Sequence, residues 1–249
     1  MVAKIMAVIQ ARTGSTRLPG KVMYPLDGQL TLTHVIDRVR NTNHVTNTIV
    51  ATSTEPPDDV IEEYAPRFGA DIIRGSEFDV LSRFTKAVKQ YDPNILVRVT
   101  ADCPLISPEF VDACIEHIED DGVDYVCAAL ERTFPRGLTC EAFTAESFQH
   151  VVEESTEPRH REHVTPYYRE HPEQFDLYNL ESSEIFDEEW LQNRTDLRLT
   201  LDEPADYHLL ETVYREVGYD GILDIPKAVQ HIDVSGLAEI NKDVEQKTV

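Results

Sequence analysis

Ile5-Met-Ala-Val-Ile9-Gln-Ala11-Arg12-Thr-Gly14-Ser15-Thr-Arg17-Leu-Pro-Gly20-Lys21-Val22 runs five apolar residues straight into a loop holding two arginines, a lysine, two glycines and three hydroxyls. The apolar run reads as a buried strand. The loop behind it is built as an anion cradle. Glycine lets backbone N–H groups turn inward, hydroxyls add donors, and Arg12, Arg17 and Lys21 can neutralise several phosphate oxygens at the strand's C-terminal edge. Two familiar phosphate signatures are excluded, because no G-x-G-x-x-G occurs and Lys21 lacks the G-K-[ST] ending of the P-loop.

Outward from this stretch, β-rich apolar runs alternate with helical patterns, the mark of a sheet covered by helices. Strands are predicted over residues 5–9, 48–52, 70–73, 95–100, 123–128, 175–180 and 197–201. Leu32, Val35 and Val39 define one amphipathic helix face, Val60, Ile61 and Tyr64 another, and Leu81, Phe84 and Val88 a third. Ser107-Pro108 reads as an N-cap and first helical position, with Gly122 ending that helix. No repeat or low-complexity linker divides residues 1–249, which read as one domain. The interval 131–196 is less regular and richer in charge and aromatics. It suits a lid or dimerisation insertion, and equally extra helices packed on the sheet edge.

Open α/β sheets bind ligands where strands end, and two acids stand at such ends. Asp102 follows Ile95-Leu-Val-Arg-Val-Thr100, and Asp202 follows Leu197-Arg-Leu-Thr-Leu201. Mg²⁺ prefers a few carboxylates together with phosphate oxygens and water, so Asp102 and Asp202 beside a basic loop fit that ion. Glu203 is expected to point to the opposite face of the extended segment.

Five ordered motifs carry a family resemblance: the basic glycine loop, Thr100-Ala-Asp-Cys-Pro-Leu105, Arg136-Gly-Leu, Arg161-Glu-His-Val-Thr-Pro166 and Arg198-Leu-Thr-Leu-Asp-Glu-Pro204. Together they resemble the cytidylyltransferases that activate sugar acids, the acylneuraminate and 3-deoxy-manno-octulosonate enzymes, and most of all their spore-coat-polysaccharide-type relatives. The resemblance spans nearly the whole chain. It implies a three-layer, Rossmann-like nucleotide-diphospho-sugar transferase fold with a mostly parallel mixed sheet. It implies CTP and a sugar acid as substrates, a CMP-sugar and diphosphate as products, Mg²⁺ as cofactor, and a homodimer.

Carried over residue by residue, the resemblance assigns catalysis to Arg12, Lys21 and Asp102, and metal binding to Asp102 and Asp202. Nucleotide contacts fall on Ala11, Arg12, Gly14, Ser15, Arg17 and Lys21, and on Gly75, Ser76, Asp79 and Arg83. Acceptor contacts fall on Arg136, Arg161 and His163. Many family members carry a further acid two residues before the position of Asp202, where this chain has Thr200. The residues themselves leave plainer alternatives open. Gly75 can simply turn the chain, Ser76 can cap a helix, Arg83 can pair with a surface acid, and Arg159-His-Arg-Glu-His163 can be a solvent-facing charged helix. Other functions weighed are a GT-A-like glycosyltransferase using a nucleotide-sugar, a nucleotidyltransferase using another nucleotide and a sugar phosphate, and a non-catalytic nucleotide-binding protein. The usual D-x-D of the glycosyltransferase is missing, and the basic loop better suits a free triphosphate.

Composition sets the remaining bounds. Forty-six acidic against 23 basic residues give a formal charge of −23, which argues against nucleic acid or an anionic membrane as partner. Only seven of the basic residues are lysine. An acidic, lysine-poor surface is what a high-salt cytoplasm favours, because self-repulsion is screened there. Cys103, Cys114, Cys127 and Cys140 have no C-x-x-C spacing and read as reduced. No signal-peptide pattern or spanning apolar run is present, so the expected compartment is the cytoplasm. Phe134, Tyr167, Tyr168, Tyr178 and Trp190 are the aromatic residues expected to support the dimer.

Overall fold

The computed structural model describes residues 3–246. Its strands are β1 (Ile5–Gln10), β2 (Pro25–Leu26), β3 (Gln29–Leu30), β4 (Asn47–Ser53), β5 (Asp71–Gly75), β6 (Ile95–Thr100), β7 (Tyr125–Cys127), β8 (Glu141–Thr144) and β9 (Leu177–Asn179). Its α-helices are α1 (Thr31–Arg40), α2 (Asp59–Tyr64), α3 (Val80–Tyr91), α4 (Pro108–Asp121), α5 (Ala145–Glu154), α6 (Pro158–His163), α7 (Pro166–Glu170), α8 (Ser182–Ile185), α9 (Pro204–Glu216) and α10 (Ile225–Ser235).

Seven strands form one sheet in the order β5-β4-β1-β6-β8-β7-β9, and β2 and β3 make a separate hairpin. β1 pairs in parallel with both β4 and β6, so the basic loop leaves the middle of the sheet at its C-terminal edge. β8 runs antiparallel to β6 and β7, which makes the sheet mixed. Alternation along β1 divides the core. Ile5, Ala7 and Ile9 pack with α1 and α4 on one face, while Met6 and Val8 pack with α3 and α5 on the other. The expected three-layer α/β architecture is therefore present.

Ser107 caps α4 by accepting from Phe110 N at 3.1 Å, and Gly122 ends that helix with φ 70°, both as read from the sequence. Residues 197–201, read as a strand, form no ladder among the described residues, only an isolated bridge between Arg136 and Arg198. Their backbone is held by a loop instead: Arg136 N donates to Leu197 O, and Leu199 N to Arg136 O. Gly137 permits that approach. Its φ is +97°, and a Cβ there would sit 2.5 Å from the carbonyl carbon and oxygen of Leu199.

The aromatic residues expected at an interface are mostly internal. Phe134, Tyr167 and Tyr168 are buried in this chain's own core, Tyr168 against Tyr125 with ring centroids 4.6 Å apart. Tyr178 stacks on His117, which leaves Trp190 as the exposed one of the five. All four cysteines are buried and free.

Candidate active site

Two strand ends and the extended segment 197–201 converge on Lys21. Its ammonium donates to Asp102 Oδ2 at 2.6 Å and to Asp202 Oδ1 at 2.7 Å. Asp102 is carried by the turn after β6, whose Ala101 N donates to Gln10 O and whose Asp102 O accepts from Leu201 N at 2.7 Å. That last bond ties the two acidic corners together. Burial by itself lowers the affinity of the Lys21 amine for its proton, but Asp102 and Asp202 outweigh it and hold the group above its ordinary pKa. Burial likewise favours the neutral form of Asp102, and Lys21 reverses the balance, keeping it ionised.

Asp202 sits in a wider charge network. Arg17 reaches its Oδ1 at 3.2 Å and Arg198 its Oδ2 at 2.8 Å. Along the extended segment, Leu197, Leu199 and Leu201 enter the core. Thr200 and Asp202 line a cavity on the other side. Glu203 departs from its expected orientation, since Arg17 pairs with its Oε1 at 3.3 Å. The two-residue alternation ends where Pro204 begins α9, and the turn returns Glu203 to the basic loop.

The loop's entry is fixed by Asp58. Its carboxylate accepts from Thr13 N and Thr13 Oγ1, both at 2.7 Å, and from Ser53 Oγ at 2.5 Å. Ala11 N donates to Ala51 O, and Ser15 Oγ accepts from Leu18 N. Arg12 faces Glu77 at 3.4 Å and Glu162 at 4.0 Å. Gly14 lies so close to this acid that a Cβ would be 3.0 Å from Glu77 Oε1.

The Gly75 to Arg83 segment is brought beside the loop, with its side chains engaged locally. Ser76 Oγ accepts from Asp79 N, and Asp79 caps α3 through Ser82 N. A Cβ on Gly75 would lie 2.8 Å from Arg83 Cγ. Arg83 is buried and donates to Ala51 O at 3.0 Å; burial, then repulsion from Arg12, pushes its pKa down to about 10. Arg161 is drawn to Asp79, at 2.5 Å through Nη2.

Two adjoining cavities share Ala128, Ala129 and Thr139, and the larger reaches Asp202. The larger, about 400 Å³, is lined by Arg132, Arg136, Thr200 and Asp202 among others. Among the described residues the Arg136 guanidinium has no hydrogen bond or ion pair, and burial followed by repulsion from Arg132 and Arg198 disfavours its charge. The smaller, about 240 Å³, contains His163, Arg98, Arg169 and Glu141. Burial lowers the pKa of His163, favouring its neutral form. Neither cavity includes Arg161 in its lining. His160 is buried and meets Glu170 Oε2 through Nε2 at 2.7 Å.

Sequence reading missed three supports. Arg198 and Asp206 brace Asp202, Asp58 anchors the basic loop, and Glu141 joins Arg98 and Arg169 beneath the smaller cavity. The i,i+4 spacing of Arg198 and Asp202 was the one available signal. Cys103 lies beside Asp102, yet burial and then the neighbouring carboxylate push its thiol up to about 12, so it is not a thiolate nucleophile.

Such convergence of cations and carboxylates at strand ends suits an α/β enzyme that handles nucleotides. A cytidylyltransferase family model matches residues 6–235. The spore coat polysaccharide biosynthesis protein SpsF of Bacillus subtilis is 34% identical over 219 residues, covering 86% of this chain and 88% of that protein. The 3-deoxy-manno-octulosonate cytidylyltransferase of Solibacter usitatus is 33% identical over 117 residues, 46% of this chain and 45% of that one. A cytidylyltransferase from Leptospira borgpetersenii superposes with a TM-score of 0.86 at 29% identity, over 99% of this chain and 100% of that one. The chain belongs to the cytidylyltransferase family and is a nucleotidyltransferase.

Proposed function

We propose that this enzyme joins CTP to a sugar acid, giving a CMP-sugar and diphosphate for surface polysaccharide or glycan synthesis. The observation that carries the reading is the meeting of Lys21, Asp102 and Asp202 beside the cavity lined by Arg136, whose guanidinium has no partner among the described residues. Cations suited to a triphosphate, two carboxylates suited to a hard metal, and an arginine suited to a sugar carboxylate share one cleft. The name of the octulosonate relative supports the same substrate class, and that of SpsF supports polysaccharide biosynthesis.

Arg12, Arg17 and Lys21 bind the triphosphate, with Ala11, Gly14 and Ser15 shaping the loop around it. Gly75, Ser76 and Asp79 border the base, and Arg83 holds the end of β4 beneath it. Arg136 orients the acceptor carboxylate, His163 borders the acceptor, and Arg161 fixes α6 through Asp79. The anomeric oxygen bonds to the α-phosphorus and releases its proton to solvent as the bond from that phosphorus to the bridging oxygen breaks, and Arg12 and Lys21 stabilise the departing diphosphate. Positioning and charge compensation supply the catalysis.

The carboxylates fit Mg²⁺, since oxygens from Asp102 and Asp202 already converge on one cationic nitrogen. Bound there, Mg²⁺ would act as a Lewis acid toward the α-phosphate. We read residues 1–249 as one domain, with 131–196 contributing β8 and β9 to the sheet and its remaining loops serving as lid or dimer contact. Among the described residues no helix is long and apolar enough to cross a membrane, and the proposed compartment is the cytoplasm.

The test is diphosphate release from CTP, UTP, ATP and GTP, each offered with sugar acids and with sugar phosphates. Release is expected from CTP with a sugar acid, dependent on Mg²⁺. Turnover confined to a sugar phosphate with another nucleotide would overturn the reading.

A further inference from the structure

Lys21 stands where the two proposed metal ligands meet. Oxygens from Asp102 and Asp202 lie 2.6 and 2.7 Å from a single nitrogen. Mg²⁺ takes oxygen ligands at about 2.0–2.1 Å, so the same oxygens reach ligating distance by closing slightly on that same point. An ammonium and a divalent ion cannot share it, because like charges in a partly dry site repel strongly. The lysine is held there: its side chain is 11% exposed, Gly20 precedes it in a left-handed conformation, and its N donates to Leu18 O at 3.2 Å.

The other cations of the cradle are neutralised in the same manner. Arg12 faces Glu77 and Glu162, and Arg17 faces Asp202 and Glu203. Asp102 depends most on Lys21, with Thr100 and its own backbone N–H adding smaller support and the Cys103 thiol meeting its other oxygen at 3.6 Å. A triphosphate offers these cations stronger partners than single carboxylates do, and in taking Lys21 it uncovers Asp102 and Asp202.

We propose that Lys21 is the placeholder of the metal site: it occupies the ligating point in the nucleotide-free enzyme and cedes it to the triphosphate, so that divalent metal binds with the nucleotide and not before it. This rests on the reading of Asp102 and Asp202 as metal ligands. Lys21 thereby serves two positions, one on the aspartates and one on the phosphates.

The experiment is a titration with Mn²⁺ alone, followed by electron paramagnetic resonance of the free ion, on the full chain without nucleotide. Lys21→Met is expected to bind Mn²⁺ about tenfold tighter than the unaltered chain and to lose that gain when Asp102→Asn is added. Because Lys21→Met leaves two aspartates facing each other, its thermal midpoint should drop without metal and recover with Mn²⁺, while that of the unaltered chain stays put. Equal Mn²⁺ affinity of the two proteins overturns the proposal. A second arm isolates the metal reading by comparing bound Mn²⁺ spectra with CTP present in the unaltered chain and in Asp102→Asn/Asp202→Asn. Differing spectra without a gain in Lys21→Met leave the aspartates as ligands and remove the placeholder role; identical spectra remove both.

Discussion

Arg198 donates through Nε to Asp206 Oδ1 at 2.9 Å, and by way of Asp206 it sets the turn that presents Asp202. The second oxygen of Asp206 accepts from the backbone N–H groups of Asp202 and Glu203, each at 3.0 Å, and Asn241 Nδ2 completes the set on Oδ1 at 2.9 Å. Asp206 is fully buried. Removing it leaves a buried guanidinium and two amide donors without their acceptor. We expect Asp206→Ala to lose about 3–5 kcal/mol of stability, as when one partner of a buried pair is removed. Activity should fall further than stability explains, because Asp202 loses its fixed backbone. Urea unfolding together with diphosphate release checks both, and an unchanged urea midpoint would dismiss the bracing role.

Lys21→Ala should depress turnover by about a hundredfold or more while the chain still folds, since a cation aimed at phosphates acts on the transition state. Its neighbours Arg17 and Arg198 still face Asp202, which limits the structural damage. Steady-state kinetics with circular dichroism distinguish the two effects. Full turnover in a folded variant would take Lys21 out of the mechanism.

The contrast between Lys21 and Asp206 explains which parts were legible in the sequence. Lys21, Asp102 and Asp202 lie in ordered local motifs at the ends of apolar runs, so residue type and context marked them as candidates, and the fold brings the three together. β1, β4 and β6 were legible for the same reason, as β-rich runs with an apolar centre, largely buried. β8 was missed because it is four residues long and begins with Glu141, whose charge is compensated by Arg98 and Arg169, distant in sequence. Residues 197–201 misled through the opposite effect, a true alternation whose backbone partner is a loop. Arg161 shows the limit for site residues: its family position was readable, but its pairing with Asp79 across 82 positions was not.

Asp102→Asn and Asp202→Asn should each reduce activity and weaken the response to Mg²⁺, because an amide keeps the shape and loses the charge a hard cation needs. If both serve one ion, the double variant should be little worse than either single one. The measurement is activity against Mg²⁺ concentration in all four proteins. Multiplicative losses with an unmoved titration midpoint would contradict a shared site.

Glu141 links the smaller cavity to acid stability. Burial favours its neutral form, but Arg98, Arg169, the Tyr125 hydroxyl and Thr165 together hold its pKa below the ordinary 4.5. A carboxylate depressed in the folded state binds fewer protons there than when unfolded. Its stabilisation is therefore complete above pH 4.5 and is lost as pH falls through the lower folded value. Glu141→Gln should cost about 3–5 kcal/mol at neutral pH, because two arginines lose their counter-ion. The gap from the unaltered chain should narrow as the pH drops below 4.5. Denaturant midpoints measured across that range decide it, and a gap independent of pH would remove Glu141 from the acid response.

Salt acts on two populations of charge in opposite directions, and their sizes decide the outcome. Exposed pairs such as Arg67 with Glu63 have more than half of both side chains in solvent, and such pairs are worth about 0–1 kcal/mol each. Screening them loses little. The pairs that brace the site, Lys21 with Asp102 and Arg198 with Asp206, lie within 2.6 to 2.9 Å and are largely buried, so mobile ions barely reach them. What remains is the mutual repulsion of a chain with formal charge −23, which weakens steadily as the screening length shrinks to about 3 Å in 1 M salt. The thermal midpoint is expected to rise between about 0.1 M and about 2 M potassium chloride, with activity retained at the upper end. Differential scanning calorimetry across that series is the measurement, and a midpoint highest at low salt would refute the assignment of this acidic surface to a high-salt cytoplasm.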